Sequence, residues 1–233
     1  MLENERQVRT LAVDIGGSGI KVMVLDWEGN PVTDRDRLET PLSPKPEAVI
    51  DIIVNLSQNK QFERVSVGFP GVVKNGVTYT AVNLDPEWVG FDLATTLSLQ
   101  LEKPVRVIND ADMQGLGAIS GQGVELVITL GTGFGSALFV NGTLVPNLEL
   151  GHHLFRKGET YEEQLGRAAL DNCGKKRWNE RLRKAIARLD YLFNYDTLYI
   201  GGGNTDAITI DLPNNAKIVP NVSGLLGGIA LWQ

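Results

Sequence analysis

The sequence predicts a duplicated, two-lobe α/β fold. Three observations carry that reading. An order of elements (hairpin, strand, helix, strand) occurs in the first half of the 233 residues and again in the second. Each half opens on a hairpin with a glycine-rich turn, "GGSG" at 16–19 and "GTG" at 131–133. Aligning Gly16 with Gly131 offsets the halves by 115 residues, close to half the chain. Halves so related form an N-terminal α/β lobe over 1–110 and a C-terminal α/β lobe over 111–233, with the two turns facing each other in a cleft.

The elements follow in order. "VRTLAVDI" (8–15) and "GIKVMVLD" (19–26) read as strands joined at the glycines, and "GNPVTD" turns towards a third, "RDRLET". "PEAVIDIIVNLSQ" (46–58) sets Val49, Ile50, Ile53, Val54 and Leu56 at largely helical spacing behind Pro46, which suits a helix start. "RVSVGF" is a strand, "FDLATTLSLQL" (91–101) a helix, and "VRVIN" (105–109) a strand running into a helix with an acidic start, "DADMQGLGAI". "VELVITL" (124–130) and "FGSALFV" (134–140) repeat the hairpin, and a tight "NGT" turn follows. Helices over roughly 159–172 and 176–193 lead to the strand "TLYI" and the turn "GGGNT", and a helix at "SGLLGGIALW" closes the chain. The glycines join strand to strand, whereas a dinucleotide-binding fold has them between strand and helix. Neither G-x-G-x-x-G nor G-x-x-x-x-G-K-[ST] spacing is met.

Composition narrows the function classes. With 42% hydrophobic and 21% charged residues the chain reads as an ordinary soluble globular protein. No apolar run approaches the roughly 18 residues of a membrane span, and "MLENERQVRT" lacks a signal-peptide core, so cytoplasm is the expected compartment. A net charge of −6 argues against a general nucleic-acid binder. The single cysteine, Cys173, excludes an internal disulfide or a multi-thiolate metal site and reads as a small, partly buried side chain.

Glycine turns present successive N–H groups without Cβ obstruction, and such concave nests bind phosphate oxygens. One "GGSG" alone is an ordinary hairpin turn. Two at matching positions, with Gly201, Gly202 and Gly203 behind a third strand, point to phosphate at Gly16, Gly17, Ser18 and Gly19 and at Gly131, Thr132 and Gly133. Asp14, ending an apolar strand, is placed to hold Mg²⁺ through water. Lys21 is either a point charge for a phosphate or a solvated strand residue.

"DIGGSGIK", "GFPGVV", "NLDPEW", "VINDAD", "TLGTGFGSAL", "PNLELGHH" and "YIGGGNT", in this order over residues 11 to 205, resemble the ROK sugar kinases, and within them the polyphosphate glucokinase branch. The resemblance implies an actin/hexokinase-like (ribonuclease H-like) duplicated fold with its active site in the cleft between lobes. It makes Asp110 of "VINDAD" the base that accepts the proton of the attacking sugar hydroxyl, a task a positioned carboxylate can do. An N-cap aspartate serving only the helix is the alternative, and Asp112 reads as a surface or cap acid. The family's sugar contacts fall on Glu149 and His152 of "ELGH", with His153 a bystander. Planar polar groups of this kind suit vicinal hydroxyls. A further glutamate is expected among Glu159, Glu162 and Glu163, with Glu163 favoured by its spacing to "RAAL". Asn83 and Asn109 are expected to reach sugar hydroxyls, and Trp88 to pack beneath the "NLDPEW" loop.

Many ROK proteins carry several cysteines soon after the "GH"; this chain has none there, so no structural zinc is expected. No DNA-binding helix-turn-helix precedes residue 11. The implied reaction is phosphoryl transfer, with Mg²⁺ as cofactor, from inorganic polyphosphate to the 6-hydroxyl of glucose. ATP or dual donor use in a ROK hexose kinase, or a non-catalytic sugar-sensing relative, are the alternatives. The resemblance also implies a homodimer. Seven of the fourteen residues in "KKRWNERLRKAIAR" (175–188) are Lys or Arg. They are a basic track for polyphosphate or a solvated helix face.

Overall fold

The computed structural model describes residues 8–81, 84–220 and 223–233. The chain divides into two compact units, Met1–Gly117 with Val222–Gln233, and Ala118–Asn221.

In the first unit the sheet strands are β1 (Thr10–Ile15), β2 (Ile20–Leu25), β3 (Asp36–Leu38), β4 (Arg64–Phe69) and β5 (Val105–Asn109), in the order β3-β2-β1-β4-β5. The β1–β2 and β2–β3 pairs are antiparallel, and β1–β4 and β4–β5 are parallel. Helices α1 (Pro46–Ser57), α2 (Leu93–Leu101) and α3 (Asp110–Leu116) complete the repeat. Leu11, Val13 and Ile15 bury one face of β1 with Val49, Ile50 and Ile53 of α1 and Leu97 of α2. Ala12, with Met23 and Leu25 of β2, buries the other face against Leu225. A strand covered on both sides has no need of polar alternation, which is why "TLAVDI" is almost wholly apolar.

The second unit repeats the plan. Strands β6 (Val124–Leu130), β7 (Phe134–Val140), β8 (Thr143–Val145), β9 (Thr197–Gly201) and β10 (Ala216–Ile218) lie in the order β8-β7-β6-β9-β10. Their pairing senses match the first sheet strand for strand. Helix α4 (Tyr161–Leu165) is followed by α5 (Arg167–Phe193), which is interrupted at Gly174, a residue with positive φ. Residues 124–130, 134–140 and 105–109 are strands over the spans anticipated; β10 was not anticipated.

Two expectations change. The boundary between halves falls after Gly117 rather than Asp110, because α3 packs with the first unit. The chain's last residues also return there. They form α6 (Ser223–Leu226) and a 3₁₀ turn (Gly227–Trp232), not one continuous helix. Their hold is specific: Ser66 Oγ donates to the Gly228 carbonyl at 2.6 Å, and Trp232 Nε1 donates to Ser66 Oγ at 2.8 Å. The guanidiniums of Arg64 and Arg106 lie 5.1 and 4.3 Å from the Trp232 ring centroid. Among the described residues no helix is long and apolar enough to cross a membrane.

Candidate functional site

In the first unit the polar set gathers where β1, β4 and β5 end. Register places Asp14 opposite Lys21, and Lys21 opposite Arg37 on the next strand. Lys21 Nζ lies 2.6 Å from Asp14 Oδ2, so the acid and the cation expected for metal and phosphate are paired with each other. The turn is closed by Gly16 N–H to the Gly19 carbonyl at 3.1 Å, and Thr40 Oγ1 donates to the Gly16 carbonyl at 2.6 Å. Arg37 donates to the Ser18 carbonyl at 2.7 Å. A Cβ on Gly19 would stand 2.4 Å from the Arg37 Nε, so the guanidinium lies in the room this glycine leaves. Sequence reading missed Arg37. Its signal was the third strand of the hairpin meander, two strands from Asp14.

Asp110 begins α3. The N-cap of that helix is Asn109, whose Oδ1 accepts from Ala111 N at 2.8 Å and Asp112 N at 3.1 Å, so Asp110 is not needed as the cap. Asp110 Oδ1 also accepts from Ala111 N at 2.8 Å. The amide of Asn109 donates to the Gly71 carbonyl at 3.2 Å, and the residue is buried. These bonds cap α3 and tie Asn109 to the Gly71 backbone. Gly68, paired with Asp14 across the sheet, is the place where a Cβ would come within 3.3 Å of Asp110 Cα. The two acids therefore flank one glycine. Asp112, read as a surface or cap acid, lies in the first turn of α3 and is 1% exposed. Trp88 is fully buried and donates to the Pro44 carbonyl at 2.7 Å. Asn83 lies outside the described residues.

In the second unit the turn Gly131–Thr132–Gly133 is closed by Gly131 N–H to the Gly133 carbonyl at 3.2 Å. Beside it stands the "ELGH" turn. Ser136 of β7 bonds its Leu148 and Leu150 backbone, and Gly151 lies so near Phe134 that a Cβ would meet the Phe134 carbonyl at 2.3 Å. Glu149 Oε2 is 3.4 Å from His152 Nε2. Burial pushes the Glu149 carboxyl above the usual range; His152 opposes that shift and the Glu162 charge adds to it.

Glu163 does not join this group. Its Oε2 accepts from Thr160 N at 2.8 Å while its own N–H donates to Thr160 Oγ1 at 3.1 Å, a capping box on the exposed start of α4. Those Thr160 bonds hold its carboxyl below the usual range. The neighbouring Glu162 points inward instead. Its Oε2 accepts from Phe134 N at 3.2 Å and occupies the space that a Cβ on Gly133 would take, at 2.2 Å. Of the three candidate glutamates, it is Glu162 whose charge acts on Glu149; Glu163 caps α4, and Glu159 sits in a short strand and is exposed.

Gly202 has φ +93° and a Cβ there would stand 2.4 Å from the Leu130 carbonyl oxygen, so only glycine fits. Asn204, buried, donates from its N–H to the Leu130 carbonyl and from Nδ2 to the Gly131 carbonyl, both at 2.8 Å. One side chain thereby locks the turn at Gly201, Gly202 and Gly203 to the turn at Gly131. Around Gly131 and Gly203 the Cβ positions are open. Among the described residues no three His, Cys, Asp or Glu side chains gather as a metal cage. Mg²⁺ keeps its waters and takes one or two carboxylates plus substrate phosphates, so a single acid such as Asp14, with Lys21 on its Oδ2, would meet that smaller demand.

A profile of the ROK family matches residues 10–180. The polyphosphate glucokinase of Mycobacterium tuberculosis is 32% identical over 233 residues, covering 92% of this chain and 88% of its own. The inorganic polyphosphate/ATP-glucomannokinase of Arthrobacter sp. strain KM superposes with a TM-score of 0.87 at 33% identity, over 97% of this chain and all of its own. A ROK family glucokinase from Streptomyces griseus, solved with glucose and AMPPNP, shares the fold at a TM-score of 0.78 and 21% identity, over 96% of this chain and 98% of its own.

Proposed function

The chain belongs to the ROK family, whose actin/hexokinase-like fold it has, and from that premise we propose that it is a polyphosphate-dependent glucokinase. It transfers the terminal phosphoryl group of inorganic polyphosphate to the 6-hydroxyl of glucose. What carries the reading is the end-to-end likeness to two polyphosphate-using sugar kinases, joined to an acid, Asp110, held at a helix start by its own cap.

The chemistry divides among this chain's residues. Asp110 takes the proton as the sugar hydroxyl attacks, from the start of a helix that Asn109 caps. Glu149, His152 and Glu162 supply acceptors and one donor/acceptor to the other hydroxyls. The glycine turns hold donor phosphates with backbone N–H groups, and Lys21 and Arg37 add positive charge at the first turn. Asp14 would hold Mg²⁺ through water, where the ion would supply neutralising charge to the phosphates.

Dual use of ATP is the second reading, favoured by the likeness to the Arthrobacter polyphosphate/ATP-glucomannokinase. A coupled assay for glucose 6-phosphate, with Mg²⁺ and either polyphosphate or ATP, separates the readings. Product with polyphosphate supports the proposal, product with ATP alone overturns the donor, and no product with either overturns the enzyme. Asp110→Asn should abolish turnover while glucose still binds; loss of binding instead would make Asp110 a sugar ligand.

A further inference from the structure

Beyond Gly174, α5 carries the basic run, and its seven cations have different uses. Arg181 donates to the Gln164 carbonyl at 3.2 Å, and Arg188 donates to the Phe155 carbonyl and lies over the Phe155 ring. Those two fasten the helix to its own unit. Lys175, Lys176 and Arg183 instead line a groove of about 480 Å³ with Asn179, Glu180, Thr209 and Ile210. Lys176 and Arg183 form no ion pair among the described residues.

The groove's floor is one face of the helix. Positions 176, 179, 180 and 183 follow the i, i+3, i+4, i+7 pattern, which sets Lys176 and Arg183 about 10 Å apart along the axis. Its far wall is built, not incidental. Asn179, 3% exposed, donates to the Lys175 and Ala207 carbonyls at 2.9 and 2.8 Å and accepts from Thr209 N at 2.8 Å. The segment that it holds leaves the Gly202 turn directly. Backbone, Asn204 and Asn179 therefore connect the glycine turns to the groove through one rigid run.

We propose that this groove seats a stretch of the polyphosphate chain beyond the phosphates held at the glycine turns, an inference that rests on polyphosphate being the donor. A single phosphate reaches only one end of the stripe. A linear polyanion engages cations at both ends of a 10 Å stripe at once. Three cations against the one carboxylate of Glu180 leave the groove positive in a protein of net charge −6. Exposed charges of this kind weaken with salt, so the seat holds long chains most firmly at low ionic strength.

The test compares wild type with Lys176→Glu/Arg183→Glu and with the milder Lys176→Gln/Arg183→Gln, thermal melts confirming that both variants fold. KM for long-chain polyphosphate should rise about tenfold on charge reversal and less on neutralisation. KM for tripolyphosphate, ATP and glucose, and kcat, should stay within about twofold. Equal changes for long and short donors, or none, overturn the seat. Equilibrium binding of fluorescently labelled long polyphosphate separates this failure from that of the donor. Wild type that binds it through these residues but does not turn it over keeps the groove and loses the donor reading; normal turnover with unchanged binding in the variants does the reverse.

Discussion

Replacing Glu162 with Gln should impair glucose phosphorylation, and replacing Glu163 with Gln should not. Glu162 presents one oxygen to Phe134 N at 3.2 Å, leaving its other oxygen for substrate. A hydrogen bond from a neutral hydroxyl to a carboxylate is worth about 1.5–3 kcal/mol, which corresponds to roughly 10- to 150-fold in kcat/KM. Gln can keep the Phe134 bond only by turning its amide towards the sugar, so the loss should lie within that range. Gln at 163 still completes a capping box, so that variant should fold and turn over like wild type. The coupled assay with varied glucose reads both. A second readout comes from Glu149, whose raised pKa owes most to burial and part to the Glu162 charge. Removing that charge lowers the pKa, and the carboxylate form then persists to lower pH, so the acid limb of kcat/KM should move down in Glu162→Gln. A damaged Glu163→Gln enzyme beside an unaffected Glu162→Gln enzyme would refute the reasoning.

Arg37→Ala should raise KM for the phosphoryl donor several-fold, on the order of one exposed charge contact, with KM for glucose unchanged; an unchanged donor KM would leave Arg37 a mere strut for the turn. Glu125 is fully buried and accepts from Tyr199 Oη, Ser120 N and Oγ, Gly121 N and Gln122 N at 2.6–3.1 Å. Burial raises its pKa, but those bonds outweigh burial and leave it lowered. Stability from Glu125 is therefore full above the unfolded value of about 4.3 and is lost as pH falls through the folded one. Glu125→Gln should lose about 1–3 kcal/mol by denaturant titration at pH 7, since the part-buried N–H groups of Gly121 and Gln122 lose a charged acceptor, and should flatten the decline below pH 5. An unchanged decline would locate the acid sensitivity elsewhere. Trp232→Ala, which empties the space between Arg64 and Arg106, should lower stability by about 1–3 kcal/mol; an unshifted denaturation midpoint would show that the last turn carries no hold on the sheet.

The elements that the sequence made legible are those whose burial writes a pattern. "VRVIN", "VELVITL" and "FGSALFV" are strands over the anticipated residues because continuous apolar runs between turn residues leave little choice of boundary. Residues 216–218 have no such pattern, being half-buried or exposed, and β10 forms only by pairing with β9. Arg37 and Asn204 were hidden for a related reason: each acts across a register or a turn-to-turn contact that only the folded backbone creates. Glu162 is different. Thr160-x-x-Glu163 is itself the capping-box signature, and it already committed Glu163 to the start of α4. Helical geometry then turns Glu162, about 100° around, towards the core side. The signal was present in "TYEE", and spacing to "RAAL" was the weaker guide.

The two glycine turns occupy equivalent places in the duplicated halves, yet opposite charges fill the room their last glycines leave. Gly19 lies under the guanidinium of Arg37, and Gly133 lies under the carboxylate of Glu162. A phosphate approaching Gly19 meets a cation beside exposed backbone; one approaching Gly133 meets an anion that already accepts the next N–H, that of Phe134. Equal phosphate roles for both turns, as the repeat alone implies, are therefore electrostatically disfavoured. In the second unit the open ground is at Gly131 and Gly203, joined by Asn204, while the Gly133 end lies beside Glu162, whose charge reaches Glu149. The same backbone occurs twice, and one side chain over the last glycine of each turn gives the two turns opposite charge.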